Sequence, residues 1–365
     1  MKKVTEKALT RIFIQSGYAS HCAFLLSGEI SEDLFENRQN SLREKIWAYR
    51  RGFLSSDIDD YGLTETNYRQ FLSNRDYYRL YPLNGLFDKW IDDKVTTKYI
   101  LQPFNSYMPR YYCLIADKDL IMPLMDSDGN SPATAEAIVD LLMSENNLAL
   151  KLVYSQSGIG FHKISYTDDG FSINNNIVDR TKMLQFIEGL EGYIVTEYIR
   201  SHHEISRIYS VSPNTARVMV VNEDGRHPVI ANAFMRFGTA RSGVVDNVTG
   251  GGIAAIVDVE TGRFHDALKI EDHHTVKCVL HPDTHLKIEG ILPHWELIKT
   301  KLIEISRYLS ELRFMGYDIV ITEEGFKILE INSLQTVARF QNNYPLRVNN
   351  AASSFFNKLL KENRG

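Results

Sequence analysis

Apolar and polar positions alternate along residues 317–333, YDIVITEEGFKILEINS, and the alternation is broken at Glu323-Glu324-Gly325. A period of two around turn residues predicts a β-hairpin. Asp318, Glu330 and Asn332 are unexpected in such a strand pair. A hairpin can bring the two carboxylates to the same end, where they repel each other unless a cation or a proton intervenes. The pattern therefore raises the question of what is held there.

The remaining pattern divides the chain into a mainly helical first part and a strand-rich second part. Apolar residues at helical spacing predict helices after Ser31 within residues 30–75, in DDKVTTKYILQPF capped by Asp92 or Asp93, in SPATAEAIVDLLMSE capped by Ser131, and over 294–313. From residue 148, the short β-rich runs are LALKLVY, HKISY, GYIVTEYI, TARVMVV, HPVIANAFMRF and GGIAAIVDV. Runs of strands with helices between them are typical of an α+β fold with antiparallel sheets.

Composition narrows the class of protein. The 365 residues are 44% hydrophobic and 24% charged, which predicts a soluble chain of two or three domains or subdomains. The net charge of -5 gives no electrostatic case for a nucleic-acid partner. No apolar run approaches the roughly 20 residues of a membrane span, and no signal-type apolar core follows Met1. Three scattered cysteines suit neither a disulfide framework nor a thiolate metal site, so we expect a reducing cytoplasm.

Four sequence features that are candidates for a functional site follow one another in a fixed order along the chain. Lys94 lies in DDKVTTK, and Lys151 precedes the loop SQSGIGFHK, whose small residues allow close backbone approach to phosphate oxygens. Alone, such a loop is more often a hairpin turn, and it is not a Walker A motif. The third feature, YIVTEYIRSHHEISR, places Glu197 at a strand end and Glu204 seven positions later. The fourth is the hairpin, whose two carboxylates and one amide suit a hard divalent cation such as Mg²⁺.

These features and their order along the chain resemble the motifs of the ATP-grasp superfamily. The matching residues are Lys94, Lys151 with its small-residue loop, Glu197 and Glu204, Arg217, and Asp318 with LEIN. Their spacing is similar to that of D-alanine–D-alanine ligases and ribosomal-protein glutamate ligases. The segments PNTARVMVV, FMRFGTARSGVVDNVTGGGIAAIVD and HPDTHLKIEGILPHWE most resemble the sugar-transfer-associated ATP-grasp proteins of polysaccharide gene clusters. The resemblance covers about residues 85 to 345.

The resemblance implies an α+β ATP-grasp fold with ATP between two lobes. Its expected parts are a helical N-terminal region at 1–90, a small lobe with a phosphate lid at 91–196, and a large lobe with the metal site at 197–365. Many ATP-grasp units follow a Rossmann-like domain, but residues 1–85 lack its βαβ pattern and glycine fingerprint. A second-substrate pocket built from helices is therefore expected.

The resemblance also implies the ATP contacts. They are Lys94 and Lys151 at the phosphates, the lid 155–160 with Ser157, Gly158 and Gly160, Glu197 with Tyr198 and Ile199 at the adenine edge, and Glu204 at the ribose hydroxyls. Arg217 and Arg236 would steady the transferred phosphoryl group, and Arg236 and Asn247 would contact the substrate. Asp318, Glu330 and Asn332 would hold one or two Mg²⁺ ions, with Mn²⁺ as the alternative.

Read singly, several of these residues have ordinary explanations. Lys94 and Lys151 are typical surface lysines. Pairing with a neighbouring acid is the lesser alternative for Arg217, whereas for Arg236 a surface or paired position explains the residue as well as a site role does. The histidines at 202, 203, 273, 274, 281 and 285 have metal-like spacing but lie in loop-like sequence, which disfavours zinc. DSDGNSPATAEA, from Asp126, begins like a Ca²⁺ loop but lacks the turn glycine and the final acid.

The implied activity is an ATP-dependent carboxylate–amine ligation through an acyl phosphate, which needs positioned charges more than a dedicated nucleophile. The small-molecule carboxylate or amine is expected to belong to a sugar such as a nucleotide-linked uronic acid, or to an amino acid, in capsular or surface polysaccharide biosynthesis. Three alternatives stay open: an amino-acid ligase acting on a peptide or protein, a phosphotransferase using His162 beside the lid, and an inactive nucleotide-binding module. The oligomeric state stays open too.

Overall fold

The computed structural model describes residues 1–117, 119–126, 131–155, 158–342, 345–349 and 351–362. Its helices are α1 Lys2–Gln15, α2 Ser20–Phe35, α3 Leu42–Arg51, α4 Ser56–Tyr61, α5 Asn74–Leu80, α6 Lys89–Asp92, α7 Lys94–Ile100, α8 Ala135–Glu145, α9 Arg180–Glu188, α10 His203–Ser206, α11 Trp295–Tyr308, α12 Ala338–Gln341 and α13 Ser353–Glu362. Short 3₁₀ helices cover Tyr68–Gln70, Gly85–Asp88 and Gln102–Tyr107. Within the described ranges, no helix combines the length and apolarity that crossing a membrane requires.

The strands form two separate sheets. They are β1 Tyr111–Asp117, β2 Leu120–Pro123, β3 Asn147–Leu152, β4 His162–Thr167, β5 Gly170–Ile173, β6 Asn176–Val178, β7 Tyr193–Glu197, β8 Thr215–Val221, β9 Val229–Phe237, β10 Ile253–Val257, β11 Arg263–Glu271, β12 His274–Lys277, β13 Gly290–Ile291, β14 Phe314–Thr322 and β15 Gly325–Asn332. The first sheet has the order β2-β1-β7-β3-β4-β5-β6, and the second has β12-β11-β10-β9-β8-β14-β15, with β13 beside β11. Neighbouring strands in both sheets run antiparallel, which confirms the predicted α+β fold.

The predicted helical N-terminal region is confirmed, but the predicted helix start at Ser31 is wrong. Helix α2 begins at Ser20, and Ser31 is buried inside it, because the apolar run before Ser31 continues the helix. The next helix, α3, begins with a capping box. The Ser41 hydroxyl accepts from the Glu44 amide at 3.3 Å, and the Glu44 carboxylate accepts from the Ser41 amide at 2.6 Å.

The predicted start of the helix in 131–145 is also wrong, whereas the start of α7 is confirmed. Ser131 donates its hydroxyl hydrogen to the Tyr112 carbonyl at 3.0 Å and is therefore engaged elsewhere. Thr134 caps α8 instead, accepting from the Ala137 amide at 3.2 Å. Asp93 caps α7, as its side chain accepts from the Thr96 amide.

Helices cover both faces of the second sheet. On one face, α11 buries Ile298, Leu302 and Ile305 against the strands. On the other, Tyr77 of α5 and Phe356 of α13 belong to the core that contacts β8, β9 and β14. Each such apolar side chain contributes roughly 1.5–3 kcal/mol on burial. This double cover explains why β8 is buried along its whole length.

The predicted hairpin is confirmed as β14 and β15, and it places the acidic residues in a row. Asp318 lies opposite Glu330, whereas Ile319 lies opposite Ile328, so Leu329 is an extra residue in a β-bulge. On the other side of β14, Asp318 lies opposite Arg217 of β8. Three charged side chains from three adjacent strands therefore meet at one place.

Candidate active site

A cavity of about 390 Å³ lies where the two sheets and the N-terminal helices meet. Its lining includes five cationic and four acidic side chains, namely Lys94, Lys151, Arg217, Arg236 and Arg339, and Glu29, Asp246, Asp318 and Glu330. The excess of positive charge is notable because the whole chain carries -5. Such a lining suits an anionic ligand that arrives with a cation.

Asp318 is the most tightly held carboxylate of the cavity. It is 2% exposed, and Arg217 donates to both of its oxygens, with Nη2 2.7 Å from Oδ2. Arg236 Nη2 lies 3.1 Å from the same oxygen. Burial opposes the ionisation of Asp318, but the two guanidinium groups outweigh it and hold the pKa of this carboxyl well below its usual range. Asp318 is therefore ionised at neutral pH.

Glu330 has the opposite electrostatic situation. Burial and the nearby Asp318 carboxylate raise its pKa, although Lys94 Nζ lies 3.8 Å from its Oε2. A bound divalent cation would relieve this unfavourable charge. Asn332 donates from Nδ2 to the Gly316 carbonyl at 3.3 Å, which fixes its amide and keeps its oxygen as an acceptor. Two carboxylates and an amide oxygen are donors that fit Mg²⁺.

Arg236 is held by a network that the sequence did not reveal. Its Nε donates to Thr215 Oγ1 at 2.8 Å and lies 3.6 Å from Asp246 Oδ2. Asp246 in turn accepts from the Thr215 amide at 2.7 Å and from its hydroxyl at 2.5 Å. Burial works against the Arg236 charge, but Asp246 and Asp318 raise the pKa of the guanidinium. Asp246 precedes Asn247 in the glycine-rich loop of residues 244–252, but its pairing with Arg236 was not predicted.

The two predicted phosphate lysines both line the cavity. Lys94 is 7% exposed, and its Nζ donates to the Ser155 carbonyl at 3.0 Å, at the start of the predicted lid. The pKa of Lys151 is lowered to about 8, mainly by burial and also by Lys94, against the opposing effect of Glu330. Neither environment is that of an ordinary surface lysine.

The predicted lid is described only in part, because Ser157 lies outside the described residues. Gly158 lines the cavity and has φ +73°, and a Cβ there would lie 3.2 Å from Val245 Cγ1. A glycine is therefore needed at this close approach between the loop after β3 and the loop after β9. Gly160 also has a positive φ, but it is outside the described lining.

Asn247 lines the cavity within a turn. Its Oδ1 accepts from the Thr249 amide at 3.2 Å and from the Thr249 hydroxyl at 2.9 Å. This places the predicted substrate-contacting loop beside Asp246 and opposite Gly158. These two hydrogen bonds within the turn stabilise the conformation of the loop.

The residues predicted for adenosine lie outside the described lining of this cavity, on the segment that leads from β7 to α10. Glu197 Oε2 accepts from the Arg110 amide at 3.1 Å. The Tyr198 ring lies 4.9 Å from Lys163 Nζ, and burial raises its pKa to about 12. Ile199 is buried, and the exposed Glu204 pairs with Arg207 at 3.4 Å. Their role stays a prediction.

Two histidines with metal-like spacing do approach a carboxylate. The ligand atoms of His202, His203 and Glu323 lie within 4.8 Å of one another. However, His202 Nδ1 accepts from the Glu204 amide at 3.1 Å, so the proton of the neutral ring is assigned to Nε2, which faces Glu323 at 3.4 Å. A metal-binding nitrogen needs a free lone pair. This arrangement favours a hydrogen-bonded contact between α10 and the hairpin turn.

A pocket built from helices was expected, but the individual residues of the wall formed by the N-terminal helices and the segment after β15 were not predicted. The wall comprises Glu29, Tyr77, Tyr78, Gln335 and Arg339. A charged Glu29 within the apolar run of α2 and polar residues directly after LEIN were the available signals. Neither signal reveals that α2 packs on α5 and that α5 packs on the second sheet.

Comparisons with known proteins identify the family of the chain. The family model described as sugar-transfer associated ATP-grasp matches residues 72–349. Among curated proteins, no significant sequence relative is found. The chain is similar to an ATP-grasp ligase, PsnB, complexed with minimal precursor, Mg and ADP (11% identity, 77% of this chain and 62% of that chain, TM-score 0.37). It is also similar to D-alanyl-alanine synthetase A from Vibrio cholerae, with 13% identity over 75% of this chain and 65% of that chain and a TM-score of 0.43. A third similar structure is D-alanine–D-alanine ligase from Bacillus anthracis, with 13% identity over 94% of this chain and 92% of that chain and a TM-score of 0.38. The chain thus spans less than two thirds of the first two proteins.

Proposed function

The chain belongs to the sugar-transfer-associated ATP-grasp family and has its α+β fold, and on that premise we propose an ATP-dependent carboxylate–amine ligase. The observation that carries the proposal is that Asp318, Glu330 and Asn332 line the same cavity as Lys94 and Lys151, with Lys94 Nζ 3.8 Å from Glu330 Oε2. Oxygen donors and ammonium groups in one cavity suit a magnesium-bound triphosphate.

In this proposal, Asp318, Glu330 and Asn332 hold Mg²⁺, or Mn²⁺, and Lys94 and Lys151 contact the phosphates. The metal supplies Lewis acidity and neutralises phosphate charge. The lid 155–160 closes over the phosphates, with Gly158 at its contact with Val245. We place the adenine at Glu197, Tyr198 and Ile199 and the ribose at Glu204, following the family motifs.

The reaction consists of two displacements. The substrate carboxylate attacks the γ-phosphorus of ATP, which forms an acyl phosphate and releases ADP. The amine then attacks the acyl carbon, phosphate leaves, and a C–N bond forms with loss of one proton from the amine. Arg217 and Arg236 can stabilise the charge that develops, because Asp318 and Asp246 already fix their orientation. Asn247, on the neighbouring loop, would contact the substrate.

A substrate attached to a sugar or an amino acid, within surface polysaccharide biosynthesis, is the finer part of this proposal. The description of the family as sugar-transfer associated supports it. We also propose the division into 1–90, 91–196 and 197–365, which the two separate sheets support. His162, the candidate for a phosphotransferase, packs near the Phe186 and Tyr193 rings and is outside the described cavity lining. The geometry therefore favours ligation.

A screen for ADP release tests this function. The protein, ATP and Mg²⁺ would be offered uronic acids, UDP-uronic acids, amino acids and small amines, singly and in pairs. We expect ADP release only when a carboxylate and an amine are both present. Release with a hydroxyl compound alone would identify a kinase, and no nucleotide binding at all would refute the proposal. Glu330→Gln should abolish turnover, whereas Glu324→Gln, an exposed residue in the turn of the same hairpin, should not.

A further inference from the structure

The cavity that holds the acidic row continues into a second cavity of about 720 Å³. The two share six lining residues, and we call this shared region the junction: Glu29, Tyr77, Tyr78, Thr249, Thr336 and Arg339. Helices α2 and α5 and the segment after β15 form it. A ligand at the junction would therefore lie between the proposed phosphate site and the N-terminal helices.

Gln335, one residue before the junction segment, has an unusual side chain. It is 1% exposed and lines the first cavity, yet neither its Oε1 nor its Nε2 has a hydrogen-bond partner among the described residues. Leaving such a group unpaired costs roughly 1–3 kcal/mol. The residue is held in place, since its carbonyl accepts from the Tyr77 hydroxyl at 2.6 Å. A buried amide kept unpaired beside a cavity points to a ligand that pairs with it.

The junction also carries one charge of each sign. Glu29 accepts from the Tyr78 hydroxyl at 2.6 Å, and burial raises its pKa. Arg339 Nη1 donates to Thr275 Oγ1 at 2.9 Å. Within the described parts of the chain, no ion pair joins either residue to an opposite charge. A ligand with both an ammonium and a carboxylate group would satisfy both.

We propose that the junction binds the amine substrate and that this substrate is a free amino acid in its zwitterionic form. Glu29 meets the ammonium group, Arg339 meets the carboxylate, and the Gln335 amide donates to and accepts from the ligand. This inference rests on the proposed ligase function and adds the substrate class. It also gives the N-terminal helices a role, because Glu29 lies on α2 and Tyr78 on α5.

Binding can be measured separately from turnover. With ADP and Mg²⁺ present, ligand-observed NMR would report binding of the standard L-amino acids and of D-alanine, with ethanolamine as a cation alone and acetate as an anion alone. We expect at least one amino acid to bind more tightly than ethanolamine and acetate. Calorimetry of ADP binding on the same samples reports the nucleotide site.

Three variants test whether the amino acid binds at the junction. Glu29→Gln, Arg339→Met and Gln335→Met should each weaken its binding by about tenfold or more, a loss of roughly 1.4 kcal/mol, while ADP binding changes less than about twofold. Glu36→Gln, an exposed carboxylate at the C-terminal end of the same helix and outside the described lining of both cavities, is the matched control and should bind normally. Gln335→Met should also unfold at the same or a higher temperature, since it removes two unpaired polar groups without losing volume.

The outcomes separate the two proposals. If no amino acid binds, or if binding is unchanged in all three variants, the junction proposal is wrong, even when paired carboxylates and amines still release ADP. Unchanged binding in Gln335→Met alone would mean that water rather than a ligand satisfies its amide, which also refutes the assignment. If the wild-type protein does not bind ADP in the presence of Mg²⁺, the ligase proposal itself is wrong.

Discussion

Arg217 and Asp318 lie opposite each other on adjacent strands and form a buried two-point contact, with Arg217 Nη2 2.7 Å from Asp318 Oδ2. A charge-assisted pair of this geometry fixes both side chains. Asp318 is therefore a proposed metal ligand that is already oriented by a cation before the metal binds. Because of the same contact, Asp318 should contribute to the stability of the fold as well as to the proposed chemistry.

We predict that Arg217→Met lowers the free energy of unfolding by roughly 3 kcal/mol, the low end for breaking a buried pair, because Arg236 still contacts Asp318. Because the pKa of Asp318 is depressed in the folded state, its contribution is present above pH 4 or so and is lost as the pH falls below that. The variant should therefore lose less stability than the wild type on acidification. Urea unfolding between pH 3 and 7 measures this.

The double variant Arg217→Met/Asp318→Asn is the control for that prediction. Removing the second charge as well should recover part of the lost stability, because no unpaired buried carboxylate remains. If Arg217→Met alone is as stable as the wild type at every pH, the pair does not contribute to folding.

Glu330→Gln should leave folding intact and weaken magnesium-dependent nucleotide binding. The pKa of Glu330 is raised by burial and by Asp318, so its protonated form is favoured in the folded state. Its stabilising contribution is therefore greatest at low pH and is lost as the pH rises through the folded-state pKa. A glutamine stays neutral at every pH and therefore does not lose stability as the pH rises. The variant should be as stable as the wild type, or more stable, at pH 7.

Calorimetric titration with ATP, with and without Mg²⁺, distinguishes the two effects. We expect the enhancement by Mg²⁺ to be lost in Glu330→Gln and kept in Glu324→Gln. A Glu330→Gln variant that binds Mg²⁺ and ATP as well as the wild type would exclude this residue as a metal ligand, whatever its stability.

Lys151 should make nucleotide affinity depend on pH. Its pKa of about 8 is below the ordinary lysine value, so the ammonium loses its proton as the pH rises above 8 in the free protein. Triphosphate binding favours the charged form, and the affinity for ATP should fall by up to about tenfold per pH unit above that point. Binding should also be accompanied by proton uptake, which calorimetry in buffers of different ionisation enthalpy detects.

Lys151→Arg tests the cause of that dependence, since a guanidinium stays charged over the same range. We expect the variant to show a flat affinity between pH 7 and 9.5, even if its absolute affinity is lower. An unchanged slope in Lys151→Arg would assign the titration to another group.

The sequence alone predicted the parts of the site that depend on local pattern. The hairpin of Asp318 and Glu330 is made by neighbouring residues, so alternation and a turn suffice to predict it. The pairing of Arg217 with Asp318 depends on the register of β8 against β14, about one hundred positions apart, which no local pattern contains. Both residues were predicted as functional, but their contact was not.

The junction was missed for a stronger reason. Glu29 and Gln335 come together only because α2 packs on α5 and α5 packs on the second sheet, which depends on contacts across most of the chain. The wrong helix starts at Ser31 and Ser131 have another cause. Serine is a frequent cap, but here a continuing apolar run and a carbonyl partner compete for these residues.

Lys98 and Asp126 provide the last test, which concerns stability away from the proposed chemistry. Lys98 is 1% exposed, and its Nζ lies 2.6 Å from Asp126 Oδ2 and 2.6 Å from the Pro109 carbonyl. Asp126 also accepts from the Tyr111 amide and the Asn105 side chain, each at 2.8 Å. The pair therefore joins α7 to the beginning of the first sheet.

We predict that Lys98→Met lowers the free energy of unfolding by up to about 3 kcal/mol, because it leaves the half-buried Asp126 without its counter-charge. Burial opposes the ionisation of Asp126, but Lys98 and the hydrogen bonds lower its pKa. Its contribution is therefore present above the ordinary pKa of an aspartate and is lost as the pH falls from there through the lowered folded-state pKa. The variant should therefore be least destabilised near pH 3. Lys98→Met/Asp126→Asn should recover part of the loss, and Lys89→Met, on the neighbouring α6, should change little. Equal stability of Lys98→Met and the wild type in urea at pH 7 would show that this buried ion pair is energetically neutral.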